Sequence, residues 1–271
     1  MKNPGKLFGV VGYPLAQSMS PMLHNWGFEQ QDFSGVYMLW PVAPEKLEAF
    51  FTAVRTLPIS GGSITLPHKV TAIPLLDRVT DRVRKVGAVN AFYWDGEALC
   101  GENTDVTGFL DPIRNRKFKS ALVIGAGGAC RAVLAGLKEL GIPDIGITNR
   151  TEAKAQELAR DFGISFVPYA ERASAGAELV VNSTSQGMKG DYVNETAFPK
   201  EGFKGKGLAY DIVYNPAKTR FMKEAEEAGW ETQGGLDMFV GQAREAFRLW
   251  TGGKELPLEG ATELVKKALG L

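Results

Sequence analysis

The sequence predicts two α/β domains in tandem, and three observations carry that prediction. At 271 residues the chain reaches the size at which single hydrophobic cores usually stop growing. From Ala121 onward, continuous apolar strands alternate with amphipathic helices, the pattern of a parallel sheet covered on both faces. A glycine-rich turn, Gly125-Ala126-Gly127-Gly128, comes only midway along the chain, after a first half with its own α/β rhythm and scattered polar residues. Each element follows from local pattern.

Residues 7–11 read as a short buried strand, stopped by Gly12-Tyr13-Pro14. Ser20-Pro21 reads as an N-cap with proline at the first helical position, opening a helix to about Gln30. Residues 36–40 form a second strand, and Pro44 starts an amphipathic helix carrying Leu47, Phe50, Phe51 and Val54. Residues 62–65 are strand-like and lead into a helix near Pro67. A helix over 80–86 follows, and 88–93 pairs with 98–100 across an Asp95-Gly96 turn. In the second half, strands are expected at 121–124, 145–148, 165–167, 178–182 and 208–212. Helices are expected from the glycine turn to about Leu140, at 152–162 and at 217–228. Beyond Gly234-Gly235 the pattern is helical to the end, and these last helices are free to pack back on the first domain.

Lys+Arg and Asp+Glu each total 31, so the chain lacks the basic surplus that nucleic-acid binding uses. Two cysteines, Cys100 and Cys130, make no disulfide framework and fit a reducing compartment. With only His24 and His68, no Cys-x-x-Cys pair and no His-Glu-x-x-His, no metal is expected. The apolar run before Gly12 is too short for a signal peptide, and no later run approaches a membrane span. The expectation is a cytoplasmic protein with neither nucleic-acid nor membrane partners; a homodimer stays open.

Gly125, Ala126, Gly127, Gly128 and Ala129 sit where a strand becomes a helix. A side chain at the glycines would hold a pyrophosphate away from the helix N-terminus, so the turn reads as a Rossmann-like dinucleotide loop, with Cys130 in place of the last glycine. A plain strand–helix turn would look similar, but a second apolar strand follows at the spacing the dinucleotide reading requires. That strand ends in Asn149-Arg150-Thr151, with Lys154 nearby, where an NAD site would offer an acid to the ribose hydroxyl. A guanidinium matches phosphate oxygens, so the reading is NADP(H).

In the first half, Ser18 and Ser20 flank a helix start, and two hydroxyls beside free backbone N–H groups suit a carboxylate. Taken singly they read more simply as a turn residue and a cap. Lys69, Asn90 and Asp105 are equally ordinary alone: a solvated lysine, a turn amide and a capping acid.

Together the segments resemble the shikimate dehydrogenases. The resemblance runs through Val11-Gly12-Tyr13-Pro14…Ser18-Met19-Ser20-Pro21, Thr65-Leu66-Pro67-His68-Lys69, Gly87-Ala88-Val89-Asn90 and Gly101-Glu102-Asn103-Thr104-Asp105. It continues through the glycine loop, Asn149-Arg150-Thr151, Asn182-Ser183-Thr184-Ser185 with Gly187-Met188, and Gly235-Leu236-Asp237-Met238…Gln242. It implies NADPH-dependent, reversible reduction of 3-dehydroshikimate to shikimate on the route to aromatic amino acids, in a cleft between domains. It also implies a substrate domain over 1–104 completed by 237–271, and a Rossmann-like NADP-binding domain over 105–236. By the same resemblance Ser18 and Ser20 hold the ring carboxylate. Thr65, Lys69, Asn90, Asp105 and Gln242 contact hydroxyls or the ketone, with Tyr214 nearby. Ile212 and Gly235 border the nicotinamide, and Asp81 approaches the cofactor. Two positions depart from the pattern: Ser63 replaces a frequent asparagine, which shortens or removes one polar substrate contact, and Gln17 replaces a frequent histidine. Ser20, where quinate-preferring relatives carry threonine, favours shikimate.

Hydride transfer to a ketone leaves an alkoxide that needs a proton and a charge-stabilising donor. A lysine is almost wholly ammonium at neutral pH, so Lys69 is expected to donate that proton, with Asp105 as its orienting partner. A helix N-terminus near Pro67 would lower the lysine's affinity for its proton and the carboxylate would raise it. An NAD-using quinate/shikimate dehydrogenase is countered by Arg150, and a noncatalytic sensor by the presence of both Lys69 and Asp105.

Overall fold

The computed structural model describes residues 5–16 and 18–271. The chain divides into two compact units, Met1–Thr104 with Val240–Lys267, and Asp105–Phe239 with Ala268–Leu271. Gln17 and the first four residues lie outside the described set, and with them the histidine-to-glutamine departure. Among the described residues no helix is long and apolar enough to cross a membrane.

The first unit contains β1 (Lys6–Gly12), α1 (Ser20–Gln30), β2 (Gly35–Pro41), α2 (Leu47–Thr56), β3 (Ile59–Ile64), β4 (Arg78–Val79), α3 (Asp81–Val86), β5 (Ala91–Asp95) and β6 (Ala98–Glu102). Its six-stranded sheet runs β2-β1-β3-β5-β6-β4, with β1 parallel to β2 and β3, and β5 antiparallel to both β3 and β6. On one face, Val11, Phe51, Val54, Ile64, Val83, Phe92 and Leu99 form a core.

The second unit begins with α4 (Asp105–Leu110) and continues through β7 (Ser120–Ile124), α5 (Gly128–Glu139), β8 (Asp144–Thr148), α6 (Glu152–Phe162), β9 (Ser165–Phe166), β10 (Leu179–Asn182), β11 (Leu208–Asp211), α7 (Arg220–Glu227) and β12 (Glu231–Gln233). Its sheet, β12-β11-β10-β7-β8-β9, is parallel throughout, as fully apolar strands demand. Phe198, Phe203, Phe221 and Trp230 pack with Leu122, Val180 and Ala209 in one of its cores. Elsewhere Phe109 stacks on Tyr210 at 4.9 Å between ring centroids.

The last helices are α8 (Leu236–Thr251) and α9 (Leu258–Leu269). From Val240 to Lys267 they belong to the first unit. Trp250 packs against Phe8 and donates its indole N–H to the Phe92 carbonyl at 3.1 Å, while Phe247 packs against Phe28. Gly61 is required by this docking, since a Cβ there would lie 2.8 Å from the Trp250 ring.

Local readings needed correction at four places. Met19, not Ser20, is the N-cap of α1; Ser20 is its first residue, and the Ser18 hydroxyl accepts from the Ser20 N–H at 3.4 Å. No α-helix follows Pro67: residues 66–72 are turns, because the Lys69 carbonyl is taken by the Val89 N–H at 2.8 Å, while the Ile73 N–H goes to Val70. The hairpin loop is Gly96-Glu97, one residue later than expected, with Gly96 at φ 63°. Helix α7 starts only at Arg220, where Thr219 caps it by accepting from the Met222 N–H. Strands β4 and β12, two and three residues long, left no mark in the hydrophobic pattern.

Candidate active site

In the first unit the candidate residues collect around the C-terminal ends of β1 and β3, which pair in parallel with Val11 opposite Ile64. The turns beyond them are stitched together: the Thr65 N–H donates to the Val11 carbonyl and the Tyr13 N–H to the Leu66 carbonyl, each at 2.9 Å. Gly12 is glycine because any Cβ would overlap the Thr65 side chain and approach the Leu66 carbonyl oxygen to 2.9 Å. Lys69 follows, half-buried, its carbonyl accepting the Val89 N–H at 2.8 Å. The His68 ring is buried and its Nε2 lies 2.7 Å from the Val42 carbonyl oxygen.

Asn90 is 3% exposed and clasps Thr104: its Nδ2 donates to Thr104 Oγ1 at 2.9 Å, and its Oδ1 accepts the Thr104 N–H at 2.6 Å. Asn103 is equally buried and donates to the Ala88 carbonyl. This stapling carries the chain into Asp105, which opens α4 and the second unit and is 6% exposed. Gln242 lies half-buried on the part of α8 belonging to the first unit. Asp81 is an exposed first-turn acid of α3, 2.5 Å from Arg84.

In the second unit, β7 ends in the glycine loop. Gly125 has φ 116°, and a Cβ there would meet Ser183 Oγ at 2.6 Å, so the fold itself demands glycine. Gly127, the N-cap of α5, differs: it has φ −93°, and a Cβ would find no atom within 4 Å. That open space at the N-terminus of a twelve-residue helix is what a pyrophosphate needs, so these residues fit a dinucleotide. Cys130 is buried behind the loop, its thiol pushed up to about 12 by burial. The Asn149 amide donates to the Thr151 carbonyl at 2.9 Å, shaping the turn that carries exposed Arg150, with Lys154 one turn further.

Ile212 and Gly235 meet directly. The Gly235 N–H donates to the Val213 carbonyl at 3.2 Å, and a Cβ on Gly235 would overlap the Ile212 carbonyl. Tyr214 stacks on Phe239 at 4.6 Å, and burial raises its phenol above the ordinary range.

Two groups had escaped the sequence reading. Asp211, fully buried at the end of β11, accepts from Thr219 Oγ1 at 2.5 Å and from the Val213 N–H and Asn182 Nδ2, each at 3.0 Å. An acid closing an apolar strand was the available signal. Tyr37 on β2 donates its hydroxyl to Ser63 Oγ at 2.8 Å, a partnership across β1 with no signal in the sequence.

Three family models match along the chain: the shikimate dehydrogenase substrate binding domain over residues 10–92, shikimate/quinate 5-dehydrogenase over 111–194, and the shikimate 5'-dehydrogenase C-terminal domain over 235–269. A shikimate dehydrogenase (NADP(+)) of Pelobacter propionicus is 47% identical over 97% of this chain and 96% of its own length. One from Oleidesulfovibrio alaskensis is 48% identical over 98% and 96%. Among solved structures, shikimate 5-dehydrogenase from Thermus thermophilus in complex with NADP(H) and shikimate superimposes with a TM-score of 0.88 at 37% identity, covering 97% of this chain and 99% of that one. The match therefore reaches both units and the returning helices, and the chain belongs to the shikimate dehydrogenase family.

Proposed function

We propose that the protein catalyses the reversible, NADPH-dependent reduction of 3-dehydroshikimate to shikimate. The observation that carries the reading is the match over nearly the full length of both chains to the Thermus thermophilus enzyme solved with NADP(H) and shikimate. The open space at Gly127 and the cationic pair Arg150 and Lys154 support NADP(H) as the coenzyme.

In this reading residues 1–104 with 237–271 form the substrate domain and 105–236 the NADP-binding domain. When bound, NADPH supplies the hydride. Ser18 and Ser20 bind the ring carboxylate; Thr65, Asn90, Gln242 and Tyr214 bind or border the ring. Lys69 gives its proton to the ketone oxygen as the hydroxyl forms, and recovers one from solvent; in the oxidative direction it takes that proton back. Asp105 is its orienting carboxylate. Gly125 to Ala129 hold the pyrophosphate, Asn149, Arg150, Thr151 and Lys154 the adenosine end, and Ile212 and Gly235 the nicotinamide end, with Asp81 contributing to the cofactor side. Two free, buried cysteines suit a reducing cytoplasm.

The test is NADPH formation from shikimate and NADP+, repeated with NAD+ and with quinate. NADP+ should be preferred by roughly ten-fold or more in kcat/KM, the worth of one charge-assisted contact to the 2′-phosphate. Absence of shikimate oxidation with either coenzyme would sink the proposal. Equal turnover of quinate would make it a dehydrogenase of broader substrate range.

A further inference from the structure

Tyr37 is 2% exposed, and its hydroxyl is committed to Ser63. It reaches across β1 from β2 and donates to Ser63 on β3. The phenol is held firmly. His24 of α1 stacks on it at 4.5 Å and 26°, Trp250 of α8 packs at 5.6 Å, and Asn25 clasps its backbone through two hydrogen bonds of 2.8 and 3.0 Å. Burial raises the phenol far above its ordinary range, so it keeps its proton at neutral pH.

The consequence falls on Ser63. A serine hydroxyl has one proton to give and lone pairs to receive. With Tyr37 donating to its oxygen, the Ser63 proton is directed away from the phenol. Ser63 is half-buried and stands two residues before Thr65, so the two share a side of the chain at the C-terminal end of β3. Ser20 is one helical turn from His24, the residue stacked on Tyr37. The Tyr37–Ser63 pair is thus bracketed by Ser20 and Thr65, both proposed to bind the ring acid.

We propose that Tyr37 is a positioning residue for the substrate: acting through Ser63, it presents one fixed hydroxyl donor to an oxygen of the hydroxylated ring acid. This deepens the proposed function and rests on it. A bond that merely stitched two strands would have no preference for the ligand, and substitution separates the cases. Tyr37→Phe keeps the ring and its stacking and removes only the oxygen. Ser63→Ala removes the donor, and Ser63→Thr keeps it.

Ser63→Ala should raise the KM for shikimate by about two- to ten-fold, the worth of one neutral hydrogen bond, with kcat and the KM for NADP+ unchanged. Tyr37→Phe should move the same constant in the same direction, Ser63→Thr should stay near wild type, and the double variant should be no worse than Ser63→Ala. Multiplicative effects in the double variant overturn the proposal, as does a lower melting temperature in Tyr37→Phe with an unchanged shikimate KM. Wild-type protein inactive on shikimate would instead overturn the underlying reading of function.

Discussion

His68 and Lys69 are adjacent, and their surroundings assign them different work. Because the Val42 carbonyl can only accept, the His68 Nε2 carries the proton of that bond, and its Nδ1 is buried without a hydrogen-bond partner. Such a ring anchors a turn, with its Nε2–H committed to the backbone. Lys69 is half-buried, and its carbonyl accepts the Val89 N–H. Lys69→Ala should lower kcat by about 10²–10⁴ while the shikimate KM stays within a few-fold, the signature of a lost proton donor. A small loss in kcat with a large rise in KM would reassign it to binding. His68→Asn should do the reverse, keeping most of kcat but losing about 1–3 kcal/mol in chemical denaturation, because the shorter amide strands the Val42 carbonyl. The case for Lys69 rests on the company of the other motifs in the sequence. Its setting was not legible there, because its carbonyl pairs with a residue twenty positions away rather than with a helix of its own.

At the level of elements, the glycine loop separates what the fold needs from what a ligand needs. Gly125→Ala combines a left-handed φ with a collision at Ser183, so it should destabilise the second unit whatever is bound. Gly127→Ala meets neither obstacle. It should leave the melting temperature of the ligand-free protein within a degree or two, since surface changes away from such features usually stay within about ±0.5 kcal/mol, and yet raise the KM for NADP+ and abolish the thermal shift that NADP+ produces. An unchanged affinity for NADP+ in Gly127→Ala would place the pyrophosphate elsewhere. The strands of this sheet were legible because a sheet buried on both faces writes itself as unbroken apolar runs, as at 121–124 and 208–210. The turns at 66–72 were not, since a proline followed by apolar residues at helical spacing has the same signature whether or not distant partners take its carbonyls. Tyr37 shows the same limit: an aromatic in a strand signals burial, whereas the serine two strands away that receives its proton is a matter of register.

For the molecule as a whole, Asp211 sets an opposing slope in the dependence of stability on pH. Asp77, Glu226 and Glu227 are held below the ordinary carboxylate range by their hydrogen bonds to Arg55, Lys218 and Lys200, so what they contribute is lost as pH falls through their folded values. Asp211 runs the other way. Burial pushes its carboxyl up to about 7, outweighing the hydrogen bonds from Thr219, Val213 and Asn182 that favour the charged form. Between the unfolded value near 3.8 and about 7 the folded protein therefore holds a proton that the unfolded chain has released. That contribution is fully present below the unfolded value and is lost as pH rises through the folded one, a span of roughly 4 kcal/mol at most. Asp211→Asn removes the titration with little change of shape. Its Oδ1 still receives Val213 and Asn182, and its Nδ2 can donate to Thr219 Oγ1, whose hydroxyl rotates to accept. Denaturation of both proteins across pH 4 to 8 should show the variant gaining on wild type as pH rises to about 7, then a constant difference. A difference that does not change with pH would mean that Asp211 is ionised in the folded protein throughout, with its three donors compensating its burial completely.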